Sequence, residues 1–290
     1  MRPTYCIPPK FFRRAFSSSP SSANPEAPLY RLVYFDSRGA AELTRYILAV
    51  VQAPYQDLRY PLRATATGFG VGSSSPAPNN ASEDGTLSSP QYLQDQKAGA
   101  FVVNMSKLPI LQVLTPDGKA ALATLGQSHA INRFLADRHG LMGKDEEDYL
   151  DQKIIQRAQI DAIYESVRDI RADFLRVKRT NPRERSKWME YSLPDHCSKL
   201  EASFPPLRKG SENSSNPWIM GFCSLADIAV FSLLGTATSV VSGSLVTALD
   251  DMDPTSAFAK DCPRLRASVQ AMQALPAIRT WHTRRPDTFS

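Results

Sequence analysis

Cysteine and histidine, the residue types that most often bind metals or act as nucleophiles, are scattered along this chain of 290 residues. A structural zinc site or a redox dithiol needs paired spacing such as CxxC, and a zinc protease needs HExxH. Neither pattern is present, so we expect neither a metal site nor a disulfide framework. The four cysteines are at positions 6, 197, 223 and 262, and the four histidines are at positions 129, 139, 196 and 282.

Three glycines at positions 68, 70 and 72 are a second candidate, because glycine-rich loops bind phosphate groups when a helix and a lysine follow. Neither follows here at the required distance. The surrounding residues 64–90 are rich in Gly, Ser, Pro and Asn. Such a segment buries too little apolar surface to offset the entropy lost on ordering. We therefore predict that residues 64–90 are a mobile surface insertion rather than a binding site.

The polar pair Ser224 and Asp227 precedes the strongly apolar run from Leu225 to Leu234. Three residues apart at a helix start, a serine and a carboxylate form a capping box. In that motif the serine oxygen accepts from the Asp227 amide, and the carboxylate accepts from the Ser224 amide. We therefore predict a structural role for Asp227 rather than a catalytic one.

The composition is that of a globular protein, with 42% hydrophobic and 22% charged residues. The length suits roughly one to three domains. No apolar run approaches the ~18 residues of a membrane-spanning helix, so we expect no membrane association. Of the net charge of +5, the first 28 residues carry +3. The remaining +2 does not favour a nucleic-acid partner, and a nucleic-acid binder that depends on the basic tail is the least favoured alternative.

The first 28 residues are rich in Arg, Ser and Pro, with one acidic residue near their end. This composition is typical of an organelle transit peptide rather than a secretory signal, which needs a continuous apolar segment. The stretch Arg13-Arg14-Ala15-Phe16-Ser17 resembles mitochondrial processing sites. We predict that residues 1–28 are a transit peptide or a disordered leader. The expected location is mitochondrial, with a plastid or the cytoplasm as alternatives.

Alternating apolar residues predict a strand over Tyr30–Phe35 and another over Tyr55–Tyr60. Between them, Asp36 and Ser37 offer a helix cap, and helical spacing continues to Val51. The first part of the chain is therefore predicted to be β-α-β.

After the insertion, Pro109–Leu114 predicts a strand, residues 115–118 a hairpin turn and residues 119–122 the returning strand. Ser128–His139 predicts an amphipathic helix that ends before Gly140. From residue 148 onward only helical patterns occur. The predicted helices run from Ile154 to about Val177, and over residues 182–200, 225–234 and 263–283, the last interrupted near Pro276.

This layout and five short motifs resemble the cytosolic-type glutathione transferases, and most closely the sigma class and its relatives. The resemblance implies a thioredoxin-like N-terminal domain over residues 29–141, an all-helical domain over residues 148–290, and a homodimer. The motifs are Leu32-Val33-Tyr34-Phe35 with Arg38-Gly39, Lys107-Leu108-Pro109-Ile110-Leu111, Gln127-Ser128-His129-Ala130-Ile131, Ser224-Leu225-Ala226-Asp227 and Leu275-Pro276-Ala277-Ile278.

The resemblance implies that Tyr34 is the catalytic tyrosine. Glutathione's thiol, with a pKa near ~8.5, is mostly protonated at neutral pH, whereas the thiolate is the nucleophile. A tyrosine hydroxyl that donates to the sulfur stabilises the anion. Ser37 offers an alternative hydroxyl, but it lies past the matching position. Sigma-type enzymes commonly carry a supporting arginine where this sequence has Ala40.

The remaining glutathione contacts are also implied by the resemblance. Leu108 and Pro109 match a cis-proline turn whose backbone binds the cysteinyl unit. Gln127 and Ser128 match the helix start that binds the γ-glutamyl carboxylate.

Three charged residues complete the implied site. Lys97 matches a lysine for the glycyl carboxylate, with Tyr92 as an aromatic partner, and Lys107 is a further candidate. Asp169 matches a carboxylate that reaches the partner subunit's glutathione across the dimer interface.

The predicted activity is transfer of the glutathione thiolate, as co-substrate, to a small hydrophobic electrophile, without a tightly bound cofactor. Isomerisation and reduction of organic hydroperoxides use the same thiolate and stay open. The alternative from another class is a non-catalytic binding or structural protein on the same scaffold. Ala40 and the insertion favour that alternative, whereas Tyr34, Pro109 and Gln127-Ser128 together favour the enzyme.

Overall fold

The computed structural model describes residues 29–64, 87–143, 150–178, 182–206, 216–235 and 261–286. Its strands are β1 (Tyr30–Phe35), β2 (Tyr55–Tyr60), β3 (Arg63–Ala64), β4 (Leu87–Ser88), β5 (Ile110–Leu114) and β6 (Ala121–Gly126). Its helices are α1 (Glu42–Val50), α2 (Pro90–Lys97), α3 (Ser128–Arg138), α4 (Leu150–Lys178), α5 (Pro182–Lys187), α6 (Leu193–Ala202), α7 (Leu225–Leu234), α8 (Pro263–Ala274) and α9 (Pro276–Arg284).

Four strands form one mixed sheet in the order β2-β1-β5-β6. Strands β1 and β2 are parallel, which requires a crossover connection, and α1 supplies it. Strand β5 is antiparallel to both β1 and β6. The central strand β1 is buried, with Tyr30 and Leu32 fully inaccessible. This sheet and the helices that follow it confirm the predicted thioredoxin-like domain followed by a helical part.

The predicted helix cap at Asp36 and Ser37 is wrong. A short 3-10 turn over Gly39–Ala41 precedes α1, which begins at Glu42, and neither helix start has a side-chain cap. Asp36 instead accepts a hydrogen bond from Arg59 at 3.1 Å. The 3-10 turn therefore separates the end of β1 from the start of α1.

Strand β6 begins two residues later than predicted, because the turn before it is longer. The N–H of Thr115 donates to the Ala120 carbonyl at 2.8 Å, and the Thr115 hydroxyl oxygen accepts from the Ala120 N–H at 3.0 Å. Helix α2 was not predicted at all. Ser89 and Pro90 lie at its start, within the predicted insertion of residues 64–90.

Much of the predicted insertion and all of the predicted leader lie outside the described residues. Residues 1–28 and 65–86 are not described. At the two ends of the insertion, β3 and β4 pair as a short antiparallel ribbon, with Arg63 opposite Ser88 and Ala64 opposite Leu87. The insertion thus leaves the domain and returns to it at one place.

The helical part is built around α7, which is buried at every position except Ser232 and contacts α1, α4 and α8. Its predicted bounds and capping box are confirmed. The long helix α4 begins four residues before its predicted start and ends at the predicted place, and a π-helical turn over Trp188–Ser192 separates α5 from α6. Across the described ranges, no helix has both the length and the apolar character needed to traverse a bilayer.

The Asp227 carboxylate accepts four hydrogen bonds although it is fully buried. Oδ2 accepts from the Ser224 N–H at 2.9 Å and from the Ser224 hydroxyl at 2.7 Å. Oδ1 accepts from the Ile219 N–H at 3.0 Å and from the Ser268 hydroxyl at 2.7 Å. One carboxylate therefore joins the start of α7, the loop before it and α8, which is a structural role.

We expect Asp227→Ala to lower the free energy of unfolding by about 2–3 kcal/mol, because the substitution leaves several buried donors without an acceptor. Urea denaturation measures the loss. Ser232→Ala is the matched control on the same helix, since its hydroxyl donates only to the Ala229 carbonyl. Equal unfolding midpoints for the two variants would contradict the role assigned to Asp227.

Candidate active site

Tyr34 lies near the carboxyl end of β1 with its ring 2% exposed. Its hydroxyl oxygen accepts a hydrogen bond from the Ala40 N–H at 3.0 Å. Gly39 packs directly against the Tyr34 hydroxyl. A Cβ on Gly39 would lie 2.4 Å from the Tyr34 oxygen, and its φ of +41° also favours glycine. The loop between β1 and α1 therefore holds Tyr34 by its hydroxyl group.

Burial raises the pKa of Tyr34 above its ordinary value of 10.0. The Ala40 N–H and the positive charges of Arg171 and Arg45 act in the opposite direction. Because the pKa of Tyr34 remains above its ordinary value, the hydroxyl keeps its proton at neutral pH. It can therefore donate a hydrogen bond to an anion. The Ala40 N–H polarises that hydroxyl and makes it a stronger donor.

Arg45 on α1 holds the same loop and is fully buried. Its guanidinium donates to the Ser37 carbonyl at 2.8 Å and to the Asp57 carboxylate at 3.1 Å. It also pairs with Glu42 at 3.3 Å. Sequence reasoning missed this residue, although an arginine within the apolar spacing of a short helix is a detectable signal.

A second part of the site is the turn before β5, where the Leu108–Pro109 peptide bond is cis, as the resemblance implies. Asn104, which is 3% exposed, organises this turn. Its amide nitrogen donates to the Pro109 carbonyl at 2.9 Å and to the Lys107 carbonyl at 3.1 Å. The sequence analysis did not single out Asn104.

The same asparagine reaches the start of α3. Its side-chain oxygen accepts from the Gln127 N–H at 2.9 Å. Gln127 has a φ of +65°, which costs energy for a residue other than glycine and is typical of functional positions. No side chain caps α3, and Ser128 is its first residue rather than its cap. Its first amide groups therefore face outward without a side-chain acceptor and suit a carboxylate.

The C-terminal part of the chain matches the family model "Glutathione S-transferase, C-terminal domain" over residues 168–285. Hematopoietic prostaglandin D synthase from Homo sapiens is 25% identical over 264 residues, covering 90% of this chain and 98% of its own. Glutathione S-transferase 4 from Caenorhabditis elegans is 31% identical over 131 residues, covering 44% and 45%.

Two solved structures show the same fold. The Pi-class glutathione S-transferase of Onchocerca volvulus has a TM-score of 0.56 at 22% identity, covering 89% of this chain and 93% of its own. A nematode-specific glutathione S-transferase from C. elegans also has a TM-score of 0.56, at 23% identity, covering 89% and 98%. Together these matches support a cytosolic-type glutathione S-transferase, the group with which this chain shares its fold.

The binding of glutathione by Lys97 and Lys107, which the resemblance implies, stays a prediction. Lys97 ends α2 and Lys107 directly precedes the cis peptide bond, and both are exposed. Leu108 is partly buried, and Pro109 is buried. The Tyr92 hydroxyl donates inward to the Ser106 carbonyl at 3.1 Å. Tyr92 therefore serves first to pack α2 against the sheet.

Asp169 lies on α4 with its side chain 74% exposed, 3.4 Å from Arg168. Its predicted role across a dimer interface needs such exposure and stays a prediction. Asp161, eight residues earlier on the same helix, is instead paired with Arg133 at 2.8 Å.

Arg171 is a further residue beside the candidate site that the sequence motifs do not indicate. Its Nη2 donates to the Gly39 carbonyl at 3.2 Å, which places the guanidinium beside the loop that holds Tyr34. The spacing of apolar residues along α4 indicates that Arg171 faces inward. Val167 and Phe174, four residues before and three after it, are buried, so Arg171 shares their inward face of the helix.

Three cysteines are present among the described residues, all reduced. Burial raises the pKa of Cys197 and Cys262, and raises that of Cys223 to about 12. Their thiols stay protonated at neutral pH, so none of these three is an activated nucleophile.

We expect Asn104→Ala to weaken glutathione binding by about tenfold, because the cis-proline turn and the start of α3 lose the side chain that aligns them. Titration calorimetry with glutathione measures the change. The control is Asn216→Ala, which removes a comparable amide bridge, to the Gly221 carbonyl at 2.9 Å and from the Trp218 N–H at 3.1 Å, in the loop before α7. Unchanged affinity in the Asn104 variant would refute the alignment role.

Proposed function

We propose that this protein is a tyrosine-type glutathione transferase in which Tyr34 donates a hydrogen bond to the glutathione thiolate. The observation that carries the proposal is the buried Tyr34 hydroxyl at the end of β1, which accepts a hydrogen bond from the Ala40 N–H at 3.0 Å, in a chain similar to this family. A tyrosine kept in its phenol form is the donor that a thiolate needs.

The chemistry follows from the acidity of the thiol. Free glutathione has a thiol pKa near ~8.5, so a small fraction is ionised at neutral pH. A hydrogen bond from Tyr34 favours the anion and lowers that pKa. The thiol proton leaves to solvent, and the sulfur lone pair forms a bond to an electrophilic carbon. Either a leaving group departs with its electron pair, or the adduct takes up a proton.

The rest of the proposed site binds the peptide of glutathione. The backbone of Leu108 beside cis Pro109 would bind the cysteinyl unit, and the N–H groups at Gln127 and Ser128 the γ-glutamyl carboxylate. Lys97 and Lys107 would neutralise the glycyl carboxylate. In the proposed homodimer, Asp169 would face the ammonium group of the partner subunit's glutathione.

The second substrate is proposed to be a small hydrophobic electrophile, and the class to be sigma or a relative of it. Similarity at 25% identity to a prostaglandin D synthase makes isomerisation a second candidate. That reaction would use the same thiolate, which adds to the substrate and then leaves it. Mitochondrial targeting by residues 1–28 stays a prediction.

A non-catalytic binding protein on this scaffold is the competing proposal, and Ala40 is the observation in its favour. Such a protein would bind glutathione without lowering the pKa of its thiol. The two proposals are therefore separated by one titration.

For that titration we expect glutathione bound to the full chain to have a thiol pKa at least about one unit below the free value, and Tyr34→Phe to restore it. Ultraviolet absorbance of the thiolate against pH is the measurement. Conjugation to a general electrophile should fall about 100-fold in kcat/KM in the variant, as for loss of one anion-stabilising donor.

Tyr30→Phe is the matched control, since its hydroxyl lies on the same strand but contacts His139 at 2.9 Å. Binding with a normal thiol pKa in the unmodified protein would favour the non-catalytic alternative. A lowered pKa that persists in Tyr34→Phe would assign thiolate stabilisation to another group.

A further inference from the structure

We propose that Arg171, on α4, supplies the positive charge beside Tyr34 and the glutathione thiolate that Ala40 does not provide. This inference rests on the proposed transferase function and deepens it. Arg171 would act as a positioning residue through the Tyr34 loop, and as a source of positive potential at the sulfur.

The first support is placement. Arg171 Nη2 donates to the Gly39 carbonyl at 3.2 Å, and Gly39 packs directly on the Tyr34 hydroxyl. The next residue, Ala40, donates its N–H to that hydroxyl. The Arg171 guanidinium therefore approaches the Tyr34 hydroxyl from the helical domain, whereas a side chain at position 40 would approach it from the loop.

The second support is the absence of a local counter-charge. Among the described residues, no carboxylate lies within 4.0 Å of the Arg171 guanidinium. The carboxylate whose charge acts on Arg171 is that of Glu42. Glu42 pairs with Arg45 and Arg285 and accepts a hydrogen bond from the Trp281 indole at 3.1 Å. An unpaired, partly buried cation is costly unless an anion joins it. A thiolate at Tyr34 would be that anion.

The third support is electrostatic. Positive charge on Arg171 works to lower the pKa of Tyr34, more strongly than that of Arg45. Burial lowers the pKa of Arg171 itself, yet an arginine keeps its proton in proteins. Its charge is thus present at every pH at which the enzyme would work.

Arg168, one turn earlier on α4, differs in each of these respects. Its side chain is 46% exposed and pairs with Glu165 at 2.9 Å. It is therefore a matched control for removal of an arginine from the same helix.

The test measures the pKa of the bound thiol in the full chain carrying Arg171→Gln, Arg171→Met, Arg171→Lys or Arg168→Gln. Glutamine keeps a donor for the Gly39 carbonyl without the charge, and methionine keeps only the packing of the stem. We expect both neutral variants to raise the bound thiol pKa by about one unit and to lower kcat/KM below that pKa by about tenfold. Lysine should retain most of the effect, and Arg168→Gln should match the unmodified protein.

Rescue gives an independent measurement. Adding Ala40→Arg to Arg171→Met should bring the thiol pKa down again, because the charge returns to the loop.

A thiol pKa that stays low in both neutral variants would overturn the inference. If Tyr34→Phe still restores a normal pKa in that case, the proposed function stands and only the role of Arg171 falls. A purely structural clamp predicts another pattern, in which Arg171→Gln preserves the pKa and Arg171→Met lowers stability alone. A normal thiol pKa in the unmodified protein would refute the proposed function itself.

Discussion

Arg45 is buried on α1, and its guanidinium joins three separate parts of the N-terminal domain: the loop carbonyl of Ser37, the strand carboxylate of Asp57 and the helix carboxylate of Glu42. Removing one partner from such a buried ion pair typically costs about 3–5 kcal/mol. The loop that Arg45 holds is the one that places Gly39 and Ala40 against Tyr34. The position of the Tyr34 hydroxyl thus depends on a charged side chain that is fully buried.

A second polar network ties the helical part of the protein to the start of α3. The Thr44 hydroxyl donates to the Asn132 side chain at 2.7 Å, and Asn132 donates to the Tyr164 hydroxyl at 2.9 Å. That hydroxyl lies 2.7 Å from Nδ1 of His129, next to Ser128. Burial lowers the pKa of His129, so its ring is neutral and can accept. Helix α4 therefore supports both halves of the candidate site, through Tyr164 at α3 and through Arg171 at Tyr34.

The parts of the fold that sequence predicted correctly are those with a local physical cause. Alternation predicted β1 and β2 because their side chains alternate between the two faces of one sheet. The capping box and apolar run predicted α7 because both signals lie within its own residues. Helix α2 was missed because it has no buried residues of its own. It is attached by Tyr92, which packs on Phe35 and Phe101.

Sequence indicated the candidate site only in part, for a related reason. Tyr34, Pro109 and Gln127 lie in short motifs, so family resemblance could assign them. Arg45, Asn104 and Arg171 act through contacts between segments far apart in the chain. A polar residue on an apolar helix face signals that a partner exists, but only the packed structure identifies the partner.

The ribbon of β3 and β4 has a further consequence, for chain topology. Because Arg63–Ala64 pairs with Leu87–Ser88, the two points at which residues 65–86 join the domain lie side by side. The entropy of closing a loop grows only logarithmically with its length, by about 0.6 kcal/mol for each doubling. The stability of the sheet and α2 therefore depends on the pairing of β3 with β4, and only weakly on the number of residues between them. Natural variation can lengthen, shorten or replace it at little thermodynamic cost to the domain that carries it.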